Sequence, residues 1–158
     1  AEKLEVPFVD ADHEIEIAAD KSIPEIFKDH GEAYFREGER RVISRLIENG
    51  AQVLSTGGGA FINEETRQAV QARGISVWLK ADLPLLMKRV MKRADRPLLQ
   101  TGDPEAVMRK LMDQRYPIYA TADVTVESRD VQHTQMVNEV IKVLAKWPGW
   151  ERLNNANS

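Results

Sequence analysis

Two carboxylates, Asp10 and Asp12, stand one residue apart directly after the apolar stretch Val6-Pro7-Phe8-Val9. Arg36 lies beside Phe35 in a largely apolar helical pattern, and Glu39, one turn later, interrupts the stripe. Gly57, Gly58 and Gly59 close the run Gln52-Val53-Leu54-Ser55-Thr56. Arg96 falls in a stretch of turn formers, and Arg115 precedes Tyr116-Pro117. A carboxylate can take the proton of a hydroxyl and orient its oxygen for attack. The planar fork of arginine matches carboxylates and phosphates. Glycine lets a ligand or another backbone approach closely. Such a set suits a small polyhydroxylated carboxylate that receives a phosphoryl group.

Each residue also has a plainer reading. Asp10 fits an acid at a strand end and Asp12 an N-cap. Arg36 fits a solvated helix arginine, and the glycines fit a ligand-free strand-to-helix turn. Lys88, Arg89, Lys92 and Arg93 read as a solvated basic face, with only Arg89 a nucleotide candidate. Arg115 could pair with Asp113 or Glu105 on its own helix. His13, His30 and His133 show no metal-ligand spacing and read as surface or capping residues. Trp78 reads as core, and Trp147 and Trp150 as packing the tail.

The elements that must position these residues follow from pattern. Ala1–Glu5 looks like a helix end. Val6–Asp10 reads as a strand and His13–Ala19 as a helix. Ser22-Ile23-Pro24-Glu25 has the spacing of a capping box with an early proline. Phe35, Glu39, Val42, Ile43, Leu46 and Ile47 recur at helical spacing in a helix from about 32 to 48, which Asn49-Gly50 ends. Gln52–Leu54 is a short strand, and Asn63 caps a helix that Gly74 stops. Ile75–Lys80 reads as a buried strand containing Val77, Trp78 and Leu79. Asp82-Leu83-Pro84 opens a helix to about Arg93, and Asp103-Pro104 opens one to about Tyr116, which Pro117 interrupts or restarts. A last strand, Val124–Val126, precedes an amphipathic helix from 132 to 146. Strands alternating with helices predict an α/β fold with a central parallel sheet and helices on both faces. The strand ends then bring Asp10, Asp12 and the glycine triplet together at one edge.

The composition is that of an ordinary globular protein. The chain has 158 residues, a net charge of −3 and no cysteine. Thiolate chemistry and disulfides are thereby excluded, and nothing points to a nucleic-acid or acidic-membrane partner. No apolar run approaches the roughly 20 residues needed to span a bilayer. The cytoplasm is the expected compartment, and a monomer the expected state.

The sequence resembles shikimate kinase over nearly its whole length to about Lys146. The resemblance rests on Val9-Asp10-Ala11-Asp12, Ser22-Ile23-Pro24-Glu25-Ile26-Phe27, Gly31-Glu32 with Phe35-Arg36, Glu39, Ser55-Thr56-Gly57-Gly58-Gly59-Ala60, Arg96-Pro97-Leu98-Leu99, and Arg115 with Pro117-Ile118-Tyr119. It implies a three-layer α/β/α fold of the P-loop kinase type, strand order 2-3-1-4-5, and a role in aromatic amino acid biosynthesis. It implies ATP-dependent phosphorylation of the 3-hydroxyl of shikimate, with Mg²⁺. Asp12 would bind the ring hydroxyls and act as base. Arg36 and Arg115 would clamp the carboxylate, with Glu39 holding Arg36. Gly57, Gly58 and Gly59 would line the acceptor pocket, Gly58 bringing backbone against the ring. Asp10 would sit near the metal and its waters. Arg96 would lie on a lid at about 94–104, and Arg89 near the adenine. The same resemblance implies one kinase-like domain over 1–146, an acceptor-binding segment at about 12–48, and a tail at 147–158.

One family feature is missing. The phosphate-binding loop, Gly-x-x-x-x-Gly-Lys followed by Ser or Thr, does not occur, and no lysine follows Gly59 to replace it. About 25–30 residues of a strand–loop–helix unit would precede Ala1. A piece of a longer protein is the favoured reading, because loss of a mid-sheet strand would leave unpaired backbone on both neighbours. The rival readings are a kinase-like ligand-binding module without phosphate binding, and another P-loop small-molecule kinase of gluconate or nucleotide type.

Overall fold

The computed structural model describes residues 1–92 and 102–150. They form two compact units, one of residues 1–75 and one beginning at Ser76.

In the first unit, strand β1 (Phe8–Asp10) pairs in parallel with β2 (Val53–Ser55), with Asp10 opposite Ser55. Parallel pairing puts both carboxyl ends on one edge, as the alternating pattern requires. Helix α1 (Ala11–Ala19) leaves β1 without a spacer. Its N-cap is Asp10, whose side chain accepts from the Asp12 backbone N–H at 3.0 Å. The helix therefore starts earlier than its apolar residues suggest, and the Asp12 carboxylate is not spent on capping. Ala1–Glu5 is a 3₁₀ turn over Glu2–Leu4, with Glu5 left-handed at φ 55°.

Helix α2 (Ile23–Ile47) begins as its sequence predicts. The Glu25 carboxylate accepts from the Ser22 N–H at 2.8 Å and from its hydroxyl at 2.5 Å. At Gly31 the backbone breaks from helical geometry, φ 81° and ψ 177°. That region of backbone space is essentially open to glycine alone. The second segment carries Phe35, Glu39, Val42, Ile43 and Leu46 into the core. Ala11, Ile15, Ile26 and Ala60 complete that core, with Val9 and Leu54 from the two strands against it. After β2 and the glycines, a 3₁₀ turn (Ala60–Ile62) leads into α3 (Glu64–Arg73), capped by Asn63 as expected.

In the second unit, β3 (Val77–Lys80) and β4 (Val124–Glu127) are parallel. Side chains alternate between faces along a strand. On one face Trp78 meets the rings of Tyr116 and Tyr119, at centroid distances of 4.8 and 5.8 Å, from helix α5 (Pro104–Tyr119). On the other, Val124 and Val126 are buried, and helix α6 (His133–Leu144) packs on β4. Helices thus cover opposite faces of a parallel sheet, the α/β arrangement. Helix α4 (Leu83–Met91) starts at Asp82, which caps the Leu85 N–H.

Two expectations are corrected here. The strand at 77–80 is not buried: Val77 is 37 % and Leu79 56 % exposed, and Trp78 is only half-buried. Its apolar residues read as core, but β3 has one strand neighbour in this sheet, and the α5 tyrosines meet Trp78, which points away from the face of Val77 and Leu79. Pro117 does not end α5, which continues to Tyr119. So near the C-terminus a proline forfeits one intrahelical hydrogen bond, and the Ala120 N–H still reaches the Tyr116 carbonyl at 2.9 Å.

Candidate active site

The first unit brings six of the singled-out residues into one place. Asp10 ends β1, Asp12 lies in the first turn of α1, Arg36 and Glu39 lie on the second segment of α2, and Gly57 and Gly59 follow β2. A Cβ placed on Gly57 would lie 3.5 Å from Asp12 Oδ1 and 3.8 Å from Glu39 Oε1. A Cβ on Gly59 would fall within 2.6 Å of Arg36 Cζ and Nη2. Carboxylates and guanidinium therefore flank one glycine turn. Gly58 lies between these two glycines and is exposed.

The electrostatics are set by Glu39, 4 % exposed and the unit's one buried carboxylate. A buried charge needs a partner, and Arg36 Nη1 donates to Glu39 Oε2 at 2.7 Å. Burial nevertheless pushes the Glu39 carboxyl up. The Arg36 bond and charge pull it down, and Asp12 adds to the rise. The Asp12 carboxyl is also raised, first by burial, then by Asp10 and Glu16, with Arg36 opposing. Burial lowers the Arg36 guanidinium, but the Glu39 bond and the charges of Glu39 and Glu32 outweigh it, leaving it raised. The result is a held cation beside a carboxylate that takes protons more readily than a free aspartate. Arg36 also lies 5.1 Å from the Phe35 ring centroid.

Three contributors were given no role from the sequence. Glu32 pairs with Arg36 Nε at 3.4 Å across one helical turn, a spacing that could have revealed it. Arg67 Nη1 donates to the carbonyls of Phe61 and Ile62, at 2.9 and 2.7 Å, pinning the turn after the glycines. Arg40 Nη1 meets Glu65 at 2.8 Å, tying α2 to α3. No spacing rule points to the last two.

Arg89 and Arg115 belong to the second unit. Arg89 Nη2 donates to the Ser128 hydroxyl at 2.9 Å and approaches the Arg129 carbonyl at 3.5 Å. Arg115 forms no ion pair among the described residues; Glu105 is held by Arg109 at 2.7 Å. Arg96 and the lid residues 94–101 lie outside the described residues. All three histidines are exposed. Among the described residues no group of three or more carboxylates or imidazoles could hold a metal by itself, and no helix is long and apolar enough to cross a membrane.

The sequence model of the shikimate kinase family matches residues 1–145. A shikimate kinase of Bradyrhizobium diazoefficiens is 56 % identical over 144 residues, 91 % of this chain and 70 % of that protein. One from Mesorhizobium japonicum is 52 % identical over 153 residues, 97 % of this chain and 75 % of that protein. Among solved structures, the shikimate kinase from Acinetobacter baumannii in complex with shikimate superposes with a TM-score of 0.85 at 36 % identity, over 92 % of this chain and 82 % of that one.

Proposed function

We propose, for a chain that belongs to the shikimate kinase family and is a kinase by class, transfer of the γ-phosphoryl group of ATP to the 3-hydroxyl of shikimate. The observation that carries this reading is the pairing of Arg36, held by buried Glu39, with Asp12 across one glycine turn. Arg36 takes the substrate carboxylate in a charge-assisted contact. Asp12 accepts hydrogen bonds from the ring hydroxyls and takes the proton of the attacking one; its raised affinity for protons suits that task. Gly57, Gly58 and Gly59 present backbone instead of side chains, which lets the ring lie close. Arg115 supplies a second cation for the carboxylate.

ATP supplies the phosphoryl group, and Mg²⁺ neutralises charge on the phosphates. Mg²⁺ keeps several waters and takes one or two protein carboxylates, so it needs no dedicated protein cage. Asp10 fits the outer role: its Oδ1 is engaged by the Asp12 N–H, and its other oxygen could accept from metal-bound water. Arg96, on a lid at about 94–104, would reach the phosphates, and Arg89 would lie near the adenine. We read residues 1–146 as one kinase-like domain with an acceptor-binding segment at about 12–48, and the enzyme as a cytoplasmic monomer with no nucleic-acid or membrane partner.

Calorimetric titration of the intact protein with shikimate and with gluconate tests the reading. Heat with shikimate alone and ATP-dependent formation of shikimate 3-phosphate are expected. Heat with gluconate alone would assign a different acceptor, and binding without turnover would leave a ligand-binding module.

A further inference from the structure

We propose that Gly59 is a positioning residue for Arg36: its missing side chain is the space in which the guanidinium rests. The inference rests on the reading of Arg36 as the carboxylate clamp.

Glycine is usually required for its backbone freedom or for close approach of a ligand. Backbone freedom does not explain Gly59. Its φ of −69° and ψ of −27° are right-handed helical, open to every residue. What excludes a side chain is Arg36, whose Cζ and Nη2 lie within 2.6 Å of a Cβ at this position. Carbon and nitrogen cannot approach so closely, so one of them must move. The backbone at Gly59 is not free to yield. Its carbonyl accepts from the Ile62 N–H at 3.2 Å, and Arg67 holds the Phe61 and Ile62 carbonyls of the same turn. The guanidinium is the mobile partner, but it is bonded to buried Glu39 at 2.7 Å. A methyl group at 59 therefore drives Arg36 off Glu39 and out of its place beside the glycine turn.

Gly57 provides the contrast. A Cβ there meets Asp12 and Glu39 oxygens at 3.5–4.0 Å, ordinary contact. The two outer glycines thus do different work. Gly57 leaves room between the carboxylates, whereas Gly59 is the seat of the arginine.

A double-mutant cycle between Gly59→Ala and Arg36→Ala in the intact protein tests this. Gly59→Ala alone should raise the KM for shikimate about 10- to 100-fold, the loss of one charge-assisted contact, with the KM for ATP within twofold. In the Arg36→Ala background the same substitution should cost less than twofold. Urea denaturation repeats the cycle without any ligand. Gly59→Ala should lower the midpoint in the wild-type background and leave it unchanged or raise it once Arg36 is gone, because alanine then fits a helical position better than glycine. A Gly59→Ala protein that fails to fold, beside a double variant that folds, supports the proposal equally. Equal penalties in both backgrounds, or failure of both proteins to fold, overturn it. A wild-type protein that ignores shikimate while the urea cycle shows coupling would overturn the clamp and leave the steric role of Gly59 standing.

Discussion

Arg36 Nη1 and Glu39 Oε2 are 2.7 Å apart, and the two side chains differ sharply in exposure, 35 % for Arg36 and 5 % for Glu39. The carboxylate is fixed inside the core, and the partly exposed guanidinium is held by Glu39 through Nη1 and by Glu32 through Nε and Nη2. Glu39 interrupts an apolar helical stripe at real cost, since a buried carboxylate is stable only when paired.

Glu39→Ala should therefore act on both stability and binding. It leaves the guanidinium without its anchor and opens a void beside Val42 and Ile43. A loss of about 1–3 kcal/mol in urea unfolding is expected, the scale for a broken bond to a charged group. The KM for shikimate should rise about tenfold or more, while the KM for ATP stays unchanged. If shikimate binding is untouched, Arg36 does not depend on this anchor.

Asp12→Asn separates function from stability. The folded-state pKa of Asp12 is raised, chiefly by burial, so the native state binds the proton more tightly than the unfolded chain. Stability then falls as pH rises from the ordinary aspartate value, near about 3.9, through the folded one. Asparagine escapes that penalty. At pH 7 the variant should unfold at equal or higher urea concentration than wild type, with the gain shrinking below about pH 4. Phosphoryl transfer should be lost by about 10²-fold or more, the scale of a missing general base. In wild type, kcat/KM should fall on the acid side with a midpoint above the ordinary aspartate value. A less stable, fully active Asp12→Asn would remove Asp12 from the proposed mechanism.

The sequence already exposed most of this site, because its signals are local. The capping box at Ser22–Glu25, the misplaced charge of Glu39 on an apolar stripe and the three glycines after an apolar run can each be seen within one helical turn or one strand. Their convergence followed from the β–α alternation, since parallel strands share a carboxyl edge. What stayed hidden depends on neighbours distant in the chain. Asp10 and Asp12 are both acceptable N-caps, and only the immediate turn from β1 into α1 decides for Asp10. Arg67 reads as one more charge on a polar helix, and its grip on two carbonyls becomes visible only in three dimensions. The exposure of Leu79 likewise follows from which strands flank β3, about which an apolar run says nothing.

Gly31→Ala probes the joint in α2. The glycine has φ 81° and ψ 177°, and a Cβ there meets nothing within 4 Å. The expected penalty is thus backbone strain without a clash, about 1–3 kcal/mol. Arg36 lies five residues beyond the break, so the strain should reach binding only as a modest rise in the KM for shikimate. Thermal unfolding and initial rates on the same preparation check both parts. An unchanged melting temperature would mean that α2 can run straight through position 31.

Arg115→Ala tests the second cation of the proposed clamp. Among the described residues Arg115 has no ion pair to lose, and Glu105, earlier on the same helix, is engaged by Arg109. An arginine without an ion pair contributes little to folding, so the variant should melt within about 2 °C of wild type, a shift that corresponds to about 0.5–1 kcal/mol in a domain of this size. If it clamps the substrate carboxylate, its removal should still raise the KM for shikimate about 10- to 100-fold, the value of a charged hydrogen bond. High stability with impaired binding would mark a residue kept for its ligand. Unimpaired binding would leave Arg36 as the sole clamp and Arg115 without a role at the ligand.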